Sequence, residues 1–175
     1  MGELFKDKVV LITGGSRGLG RAMAEGFAAE GAKLAIVSRK LDSCEQTRAA
    51  LVEAYGSEVF VRATHVGDWD DLGVMVDDVI AHFGRIDVLI NNAVYQDREV
   101  NAMLLDLDDD ALQRSLVGNV VAPFHLAKKV LPHMIAQGGG KIINVGSGAG
   151  QYDPPMAANQ GGWGFAYGAS KAGMG

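Results

Sequence analysis

Short apolar runs alternate along the chain with longer stretches in which apolar and polar positions follow helical spacing. The apolar runs, rich in β-branched residues, predict five strands at 9–12, 33–38, 58–64, 86–90 and 141–145. The other stretches predict helices at 21–30, 42–55 and 69–83, and a long helical region at 108–137 interrupted near Gly118 and Pro123. This alternation predicts an α/β fold, a doubly wound parallel sheet with helices on both faces and right-handed crossovers.

Acidic residues and glycines mark the predicted helix ends. Asp42, with Glu45 three residues later, has the spacing of a capping box, and Asp68 and Asp108 stand where N-cap residues are expected. The first three helices should end at a glycine in each case: Gly31, Gly56 and Gly84.

The first strand leads into a glycine-rich turn, T-G-G-S-R-G-L-G, at 13–20. Glycines tolerate positive φ and let a phosphate approach the backbone, and the following helix presents its first N–H groups to an anion. Glycines also mark ordinary tight turns, but between a buried strand and a helix they indicate dinucleotide binding. The residues of this turn expected to bind the cofactor are Gly14, Ser16, Arg17, Gly18, Leu19 and Gly20.

The choice of dinucleotide depends on the residues just after the second strand. An acidic side chain there would accept hydrogen bonds from the ribose of NAD(H), but this chain has Ser38 followed by Arg39 and Lys40. Arg39, helped by Arg17, can bind a 2′-phosphate through charge-assisted hydrogen bonds. The alternative is that Arg39 is a solvated loop charge. The pattern favours NADP(H) over NAD(H), with Ser38 and Arg39 in the cofactor site.

Length, composition and charge narrow the class of protein. The 175 residues fit one domain, 48% of them are apolar and 24 are glycine. Because the net charge is −5 and there is no basic block, nucleic acid and anionic membranes are poor partners. The single cysteine, Cys44, and the lack of a signal-peptide-like or bilayer-spanning apolar run lead us to expect a cytoplasmic protein. The four histidines lack metal-ligand spacing, so we expect no metal site.

Further motifs follow the glycine turn in a fixed order. They are N-N-A at 91–93, Asn119 before V-V-A-P-F, Ser147 after the fifth strand, and Tyr167 with Lys171 in Y-G-A-S-K. Together with the T-G-x-x-x-G-x-G spacing of the turn, they resemble the short-chain dehydrogenase/reductase family over nearly the whole chain. A lone Y-x-x-x-K is usually a surface pair on a helix, and a lone serine after a strand is usually a cap. The shared order of all the motifs favours the family, and with it a Rossmann-type sheet.

The resemblance implies an NADP(H)-dependent oxidoreductase that interconverts a small-molecule carbonyl and an alcohol by hydride transfer. It implies that Tyr167 is the general acid/base and that Lys171 favours its ionised form and holds the nicotinamide ribose. It implies that Ser147 orients the substrate oxygen and that Asn119 supports a proton-relaying water. A free phenol has a pKa of about 10 and is a poor base near neutrality, so a neighbouring ammonium is needed.

After its third and fourth predicted strands, the chain matches some family positions and departs from others. Asn91 and Ala93, from N-N-A, are expected to bind the cofactor, whereas Val94 stands where the family has a glycine. After the third strand, His65 stands where the family places an acid that contacts adenine, so this contact is expected to be altered or lost.

The last part of the chain also departs from the family pattern. The loop 148–165 is longer than usual, and its Trp163 and Phe165 either wall the substrate pocket or pack the loop down. The sequence stops four residues after Lys171, so the resemblance implies a domain, 1–175, that lacks its C-terminal part. We expect this 175-residue chain alone to be inactive and prone to aggregate, and the full-length form to be a homo-oligomer. The alternative function is a non-catalytic dinucleotide-binding fragment or NADP(H) sensor.

Overall fold

Five strands form one sheet in the computed structural model, which describes residues 3–95 and 99–174. They are β1 (Val9–Thr13), β2 (Lys33–Ser38), β3 (Val59–Ala63), β4 (Val88–Asn91) and β5 (Lys141–Asn144). The order across the sheet is β3-β2-β1-β4-β5. The first strand, β1, pairs in parallel with β2 and β4, and β2 pairs in parallel with β3. The five predicted strands are therefore confirmed, with ends that differ by at most two residues.

The described residues form six α-helices in addition to the sheet. They are α1 (Gly18–Ala29), α2 (Leu41–Tyr55), α3 (Trp69–Phe83), α4 (Asp109–Leu116), α5 (Ala122–Ala136) and α6 (Phe165–Ala172). The predicted interruption near Gly118 is a π-helical segment, Val117–Val121, between α4 and α5. Pro123, which lacks an N–H, follows in the first turn of α5.

The strand order places helices on both faces of the sheet. The chain moves from β1 to β2 to β3 in one direction and then returns past β1 to β4 and β5. Right-handed crossovers in opposite directions lie on opposite faces, so α1 and α2 cover one face and α3 and α5 the other. Consistent with this, the rings of Trp69 and His125 stack with their centroids 6.1 Å apart. The predicted doubly wound parallel sheet is confirmed.

Most predicted helix ends agree with the structure, but α1 begins at Gly18 rather than at Arg21, and the cap predicted at Asp42 is wrong. Asp68 and Asp108 are N-caps whose carboxylates accept from Asp71 N at 3.0 Å and Asp110 N at 2.7 Å. Asp42 is not a cap, because α2 begins at Leu41 and Asp42 lies in its first turn, where its charge still suits the helix dipole. The three predicted terminal glycines all have positive φ: Gly31, Gly56 and Gly84.

A buried carboxylate, Asp87, lies just before β4. It accepts hydrogen bonds from Val9 N at 2.9 Å and from Arg85 Nε and Nη2 at 2.8 and 2.6 Å. Burial acts to raise the pKa of Asp87, but the hydrogen bonds from Arg85 and Val9 N, with the charges of Arg85 and Lys8, hold that pKa below its usual value. The carboxylate therefore joins the starts of β1 and β4 in its ionised form.

The described residues group into two compact units. The first comprises the residues up to Ala93 together with His125–Ile143, and the second comprises Val94–Phe124 and the residues from Asn144 onward. The expectation of a single domain that lacks its C-terminal part stays a prediction. Within the described ranges, none of the helices combines the length and the apolar character needed to cross a membrane.

Candidate functional site

In the first unit, two glycines shape the turn between β1 and α1. Gly14 has φ +67°, and its N–H donates to Val37 O at 2.8 Å, which ties the turn to β2. A Cβ on Gly20 would overlap Gly14 O and would lie 2.6 Å from Asn92 Nδ2. The turn therefore packs backbone against backbone, which is the geometry that allows a phosphate to approach closely.

The N-terminus of α1 has the features of an anion site. Its N-cap residue, Arg17, makes no side-chain cap, and the first turn carries no acidic side chain. A Cβ on Gly18, which has φ +53°, would meet no atom within 4 Å, and Leu19 beside it is 59% exposed. N–H groups with the helix dipole behind them and open space in front suit an anion. The turn residues therefore fit the pyrophosphate of a dinucleotide.

Two serines link this turn to the end of β2. Ser16 Oγ donates to Ser38 Oγ at 3.0 Å, and Ser16 O accepts from Thr47 Oγ1 at 3.1 Å. Arg39, the next residue after β2, is exposed, and so is Arg17 in the turn. Hydroxyl and guanidinium groups thus lie together at the end of β2, and guanidinium groups can bind a phosphate through charge-assisted hydrogen bonds.

The N-N-A segment is bonded to the end of β1. Thr13 Oγ1 accepts from the N–H groups of Asn92 and Ala93 at 3.1 and 3.0 Å and donates to Ile90 O at 3.3 Å. Asn92 Nδ2 donates to Thr13 O at 3.0 Å, and Asn91 is 2% exposed. These bonds hold the carboxyl ends of β1 and β4 together, at the edge of the sheet where α/β proteins bind ligands.

His65 follows β3 at the same edge of the sheet. Its side chain is exposed, and its Nδ1 accepts from Gly67 N at 3.1 Å. The altered adenine contact expected at His65 stays a prediction.

In the second unit, Asn119 lies at the centre of a buried polar cluster. It is 0% exposed and sits within the π-helical segment. Its Oδ1 accepts from Tyr95 N at 2.6 Å. Its Nδ2 donates to Ser170 Oγ at 3.0 Å, with Ser115 Oγ at 3.4 Å and Tyr95 O at 3.3 Å also in reach. The side-chain amide therefore joins α4, α6 and the segment after β4.

Tyr167 and Lys171 lie one turn apart on α6, as the sequence predicts. Tyr167 is half-buried, and Lys171 is only 4% exposed. Lys171 Nζ donates to Val145 O at 2.8 Å and contacts Met174 Sδ at 3.8 Å. Burial lowers the pKa of Lys171 below its ordinary value. The ammonium is thus held in a largely desolvated position in the same unit as the phenol.

Ser147 lies in the loop after β5 and is half-buried. Its Oγ accepts from Ala149 N at 3.2 Å, so it caps a short 3₁₀ turn at Gly148–Gly150. Capping uses a lone pair of the hydroxyl and leaves its proton able to donate to a ligand. The capping role and the expected substrate contact are therefore compatible.

The loop before α6 forms a cavity of its own in the second unit. The cavity measures about 410 Å³ and is lined by Trp163, Phe165 and Ala172, among others, but not by Tyr167 or Lys171. On a helical wheel, Phe165 and Ala172 share a face of α6 that Tyr167 and Lys171 do not. The aromatic residues of the loop therefore line a space on a different face of α6 from the Tyr167–Lys171 pair.

Two cluster residues, Ser115 and Ser170, are absent from the sequence-based site. Their only sequence signals are spacings: Ser115 stands four residues before Asn119, and Ser170 three after Tyr167. The described part of the chain holds no group of three or more His, Cys, Asp or Glu side chains able to bind a metal ion.

Comparison with known proteins agrees with these features. The family model described as short chain dehydrogenase matches residues 8–175. The 3-oxoacyl-[acyl-carrier-protein] reductase FabG of Staphylococcus aureus is 34% identical over 170 residues, which is 95% of this chain and 64% of that protein.

Two solved structures are also similar. An NAD⁺-bound xylitol dehydrogenase has a TM-score of 0.86 and 35% identity over 97% of this chain and 62% of its own. The L-sorbose reductase of Gluconobacter frateurii, complexed with NADPH and L-sorbose, has a TM-score of 0.88 and 32% identity over 99% of this chain and 62% of its own. The chain thus spans less than two thirds of the length of these relatives. Since the family model matches from the start of β1 to the last residue, the chain belongs to the short-chain dehydrogenase/reductase family.

Proposed function

We propose that the full-length protein is an NADP(H)-dependent oxidoreductase that interconverts a carbonyl and an alcohol. The observation that carries the proposal is the placement of Tyr167 one helical turn from Lys171, a lysine that is 4% exposed. Lys171 Nζ donates to Val145 O at 2.8 Å, so the ammonium is held in a fixed position on the helix that carries the phenol. If Tyr167 and Lys171 were only a pair on the helix surface, Lys171 would need neither its burial nor its hydrogen bond to Val145 O.

For carbonyl reduction, Tyr167 is the proton donor. When bound, NADPH supplies the hydride that reaches the carbonyl carbon. The Tyr167 hydroxyl gives its proton to the carbonyl oxygen, and the charge of Lys171 favours the phenolate that remains. Ser147, whose Oγ accepts from Ala149 N, uses its own proton to hold the same substrate oxygen. In alcohol oxidation the Tyr167 phenolate takes the proton of the alcohol hydroxyl, and Ser147 again donates a hydrogen bond to the same oxygen.

Asn119 contributes through its backbone in this proposal. Its side-chain amide is occupied by Tyr95, Ser115 and Ser170. We therefore assign to its main-chain carbonyl the support of a water that relays protons to Lys171. The side chain, by contrast, holds the surrounding elements in place.

The cofactor assignment rests on the glycine turn and on the residues after β2. The turn residues hold the pyrophosphate, and Asn91, Ala93, Tyr167 and Lys171 complete the set that contacts the dinucleotide. Arg39, beside Ser38, binds the 2′-phosphate that distinguishes NADP(H) from NAD(H). Relatives use both cofactors, since the xylitol dehydrogenase holds NAD⁺ and the L-sorbose reductase NADPH. The absence of an acidic residue directly after β2 is what favours NADP(H) here.

A panel of carbonyl compounds tests the proposal. The relatives' names include a 3-oxoacyl-[acyl-carrier-protein] reductase and an L-sorbose reductase. The panel should therefore contain ketones, sugars with a keto group, aldehydes and 3-oxoacyl thioesters. We expect carbonyl-dependent oxidation of NADPH by the full-length protein with at least one class. Saturable NADPH binding with no oxidation by any class would instead support a non-catalytic NADP(H) sensor.

The assembly and location of the protein are also proposals. Leu131 and Ile135, one turn apart on α5, are 47% and 71% exposed, and an exposed apolar stripe on a helix suits a contact between subunits. This supports a homo-oligomer. Burial raises the pKa of Cys44 and so makes it a poor nucleophile, which suits a thiol that stays reduced in the cytoplasm.

A further inference from the structure

Ser115, Asn119 and Ser170 form a buried polar cluster that the proposed chemistry does not use directly. All three are 0% exposed. A buried hydroxyl lowers stability unless it is hydrogen-bonded. Alanine would occupy either serine position without this cost. The bonds that these hydroxyls make therefore indicate what the serines do.

The single proton of each serine hydroxyl is directed at the backbone of α6. Ser115 Oγ donates to Ala166 O at 3.3 Å, and Ser170 Oγ donates to Tyr167 O at 3.0 Å. Both oxygens then accept from Asn119 Nδ2. Since Asn119 Oδ1 accepts from Tyr95 N, the orientation of the amide is fixed as well.

The bond from Ser115 differs from the bond that Ser170 makes to the backbone. Ser170 bonds a carbonyl three residues earlier in its own helix, whereas Ser115 lies on α4 and reaches a carbonyl 51 residues away. Ala166 directly precedes Tyr167 in the first turn of α6, so this bond bears on the rotation of the turn that carries the phenol. One turn later, Lys171 Nζ holds α6 through Val145 O. The two contacts restrain α6 at two points along its length.

We propose that Ser115 is a positioning residue that acts through Tyr167. Its hydroxyl, shared between Ala166 O and Asn119 Nδ2, sets the rotation of α6 and so the position of the Tyr167 hydroxyl. The inference rests on the proposed function, because it assigns Ser115 an effect on the step in which Tyr167 transfers a proton. Small displacements of a reacting group reduce rate far more than they reduce binding.

The test compares Ser115→Ala with Gln113→Gly in the full-length protein. Gln113 is exposed on α4, so the glycine weakens the same helix through its low helix propensity and leaves the cluster intact. We expect Ser115→Ala to lower kcat roughly tenfold or more, with KM and the Kd for NADPH within about twofold of the parent. Gln113→Gly should lower Tm and leave kcat within about twofold. Ser115→Cys keeps a weaker hydrogen-bond donor of similar size, so its kcat should lie between those of the parent and Ser115→Ala. It replaces Ser115→Ala in the comparison if the alanine variant does not fold.

A double-mutant cycle shows whether the effect passes through Tyr167. In a Tyr167→Phe background there is no phenol to position, so Ser115→Ala should change the residual kcat by less than about twofold. The inference would be overturned if Ser115→Ala lowered kcat by the same factor in the parent and in the Tyr167→Phe background. It would also be overturned if Ser115→Ala and Gln113→Gly lowered both Tm and kcat to the same extent. A parent that oxidises NADPH and a Ser115→Ala variant with unchanged kcat would overturn this inference alone. A parent that turns over no carbonyl would overturn the proposed function and this inference with it.

Discussion

Ser16 Oγ and Ser38 Oγ lie 3.0 Å apart, and their hydrogen bond joins the glycine turn to the end of β2. The bond brings the turn expected to hold the pyrophosphate next to the residue that precedes Arg39. The proposed 2′-phosphate site is thus anchored to the proposed pyrophosphate site by one side-chain contact.

Arg39→Asp should reverse the cofactor preference. The change removes a charge-assisted hydrogen bond, worth about 1.5–3 kcal/mol, and adds a repulsive charge, so NADPH affinity should fall roughly tenfold to a hundredfold or more. NADH affinity should stay the same or improve. Fluorescence titration of both cofactors measures this. The control variant Lys40→Asp makes the same change in charge one residue later and should lower NADPH affinity less. If Arg39→Asp lost NADPH and NADH affinity equally, recognition of the phosphate by Arg39 would be ruled out.

Gly20→Ala should disrupt the turn, because its methyl group would overlap Gly14 O. Overpacking against backbone typically costs about 1–3 kcal/mol, and the displaced turn should bind NADPH at least roughly tenfold more weakly. Gly26→Ala is the matched control, since Gly26 is in the same helix and a Cβ there meets no atom within 4 Å. It should raise stability by roughly 0.5–1 kcal/mol. Urea unfolding and NADPH titration of both variants provide the comparison, and a Gly20→Ala protein with the parent's affinity would contradict the assigned geometry.

Asp87→Asn should destabilise the protein near neutral pH by about 1–3 kcal/mol, because a buried carboxylate bonded to Arg85 and Val9 N is lost. The folded-state pKa of Asp87 lies below its unfolded value. Its stabilising effect is therefore complete above the unfolded pKa of about 3.9 and is lost as the pH falls through the folded pKa.

Urea unfolding of parent and Asp87→Asn across the acid range tests this. The difference in unfolding free energy should shrink below about pH 4. Glu53→Gln, at an exposed position on α2, should change stability by less than about 0.5 kcal/mol. A difference between parent and Asp87→Asn that stays constant down to low pH would show that the ionised carboxylate is not the source of the stability.

Lys171 should make the stability of the protein depend on alkaline pH. Burial lowers its pKa, so between this lowered pKa and the unfolded value of about 10.4 the unfolded chain binds more protons than the folded one. Stability from this group therefore rises with pH across that window. Relative to Lys171→Met, which cannot titrate, the parent should gain unfolding free energy as pH increases. Urea unfolding at several alkaline pH values measures the difference; a constant difference would contradict the assignment.

The features that the sequence predicts well depend on local chemistry. Asp68 caps α3 by bonding a backbone N–H three residues away, and Gly84 ends the same helix with φ +76°. Both effects act within one turn of the chain, so residue type and spacing are sufficient to predict them. The cap predicted at Asp42 is wrong because the N-cap lies two residues earlier, at Lys40, where the helix begins without a side-chain cap.

The buried cluster around Asn119 could not be predicted in the same way. Ser115 and Ser170 gain their roles from bonds to groups 51 residues away in sequence, which exist only once α4 and α6 are packed. The cavity beside Trp163 and Phe165 likewise depends on which face of α6 the preceding loop covers. For Asn119 itself, the family pattern identified the residue, but only the structure shows that its side chain is occupied by hydrogen bonds.

The central claim, that Tyr167 transfers the proton in carbonyl reduction, is tested most directly by the kcat of Tyr167→Phe in the full-length protein. The variant keeps the ring and removes only the hydroxyl, and Tyr152→Phe makes the same change at a tyrosine that is 71% exposed. We predict that Tyr167→Phe lowers kcat at least roughly a hundredfold with the NADPH Kd nearly unchanged, and that Tyr152→Phe retains the parent's kcat. A Tyr167→Phe protein that reduces the carbonyl at the parent's rate would contradict the account.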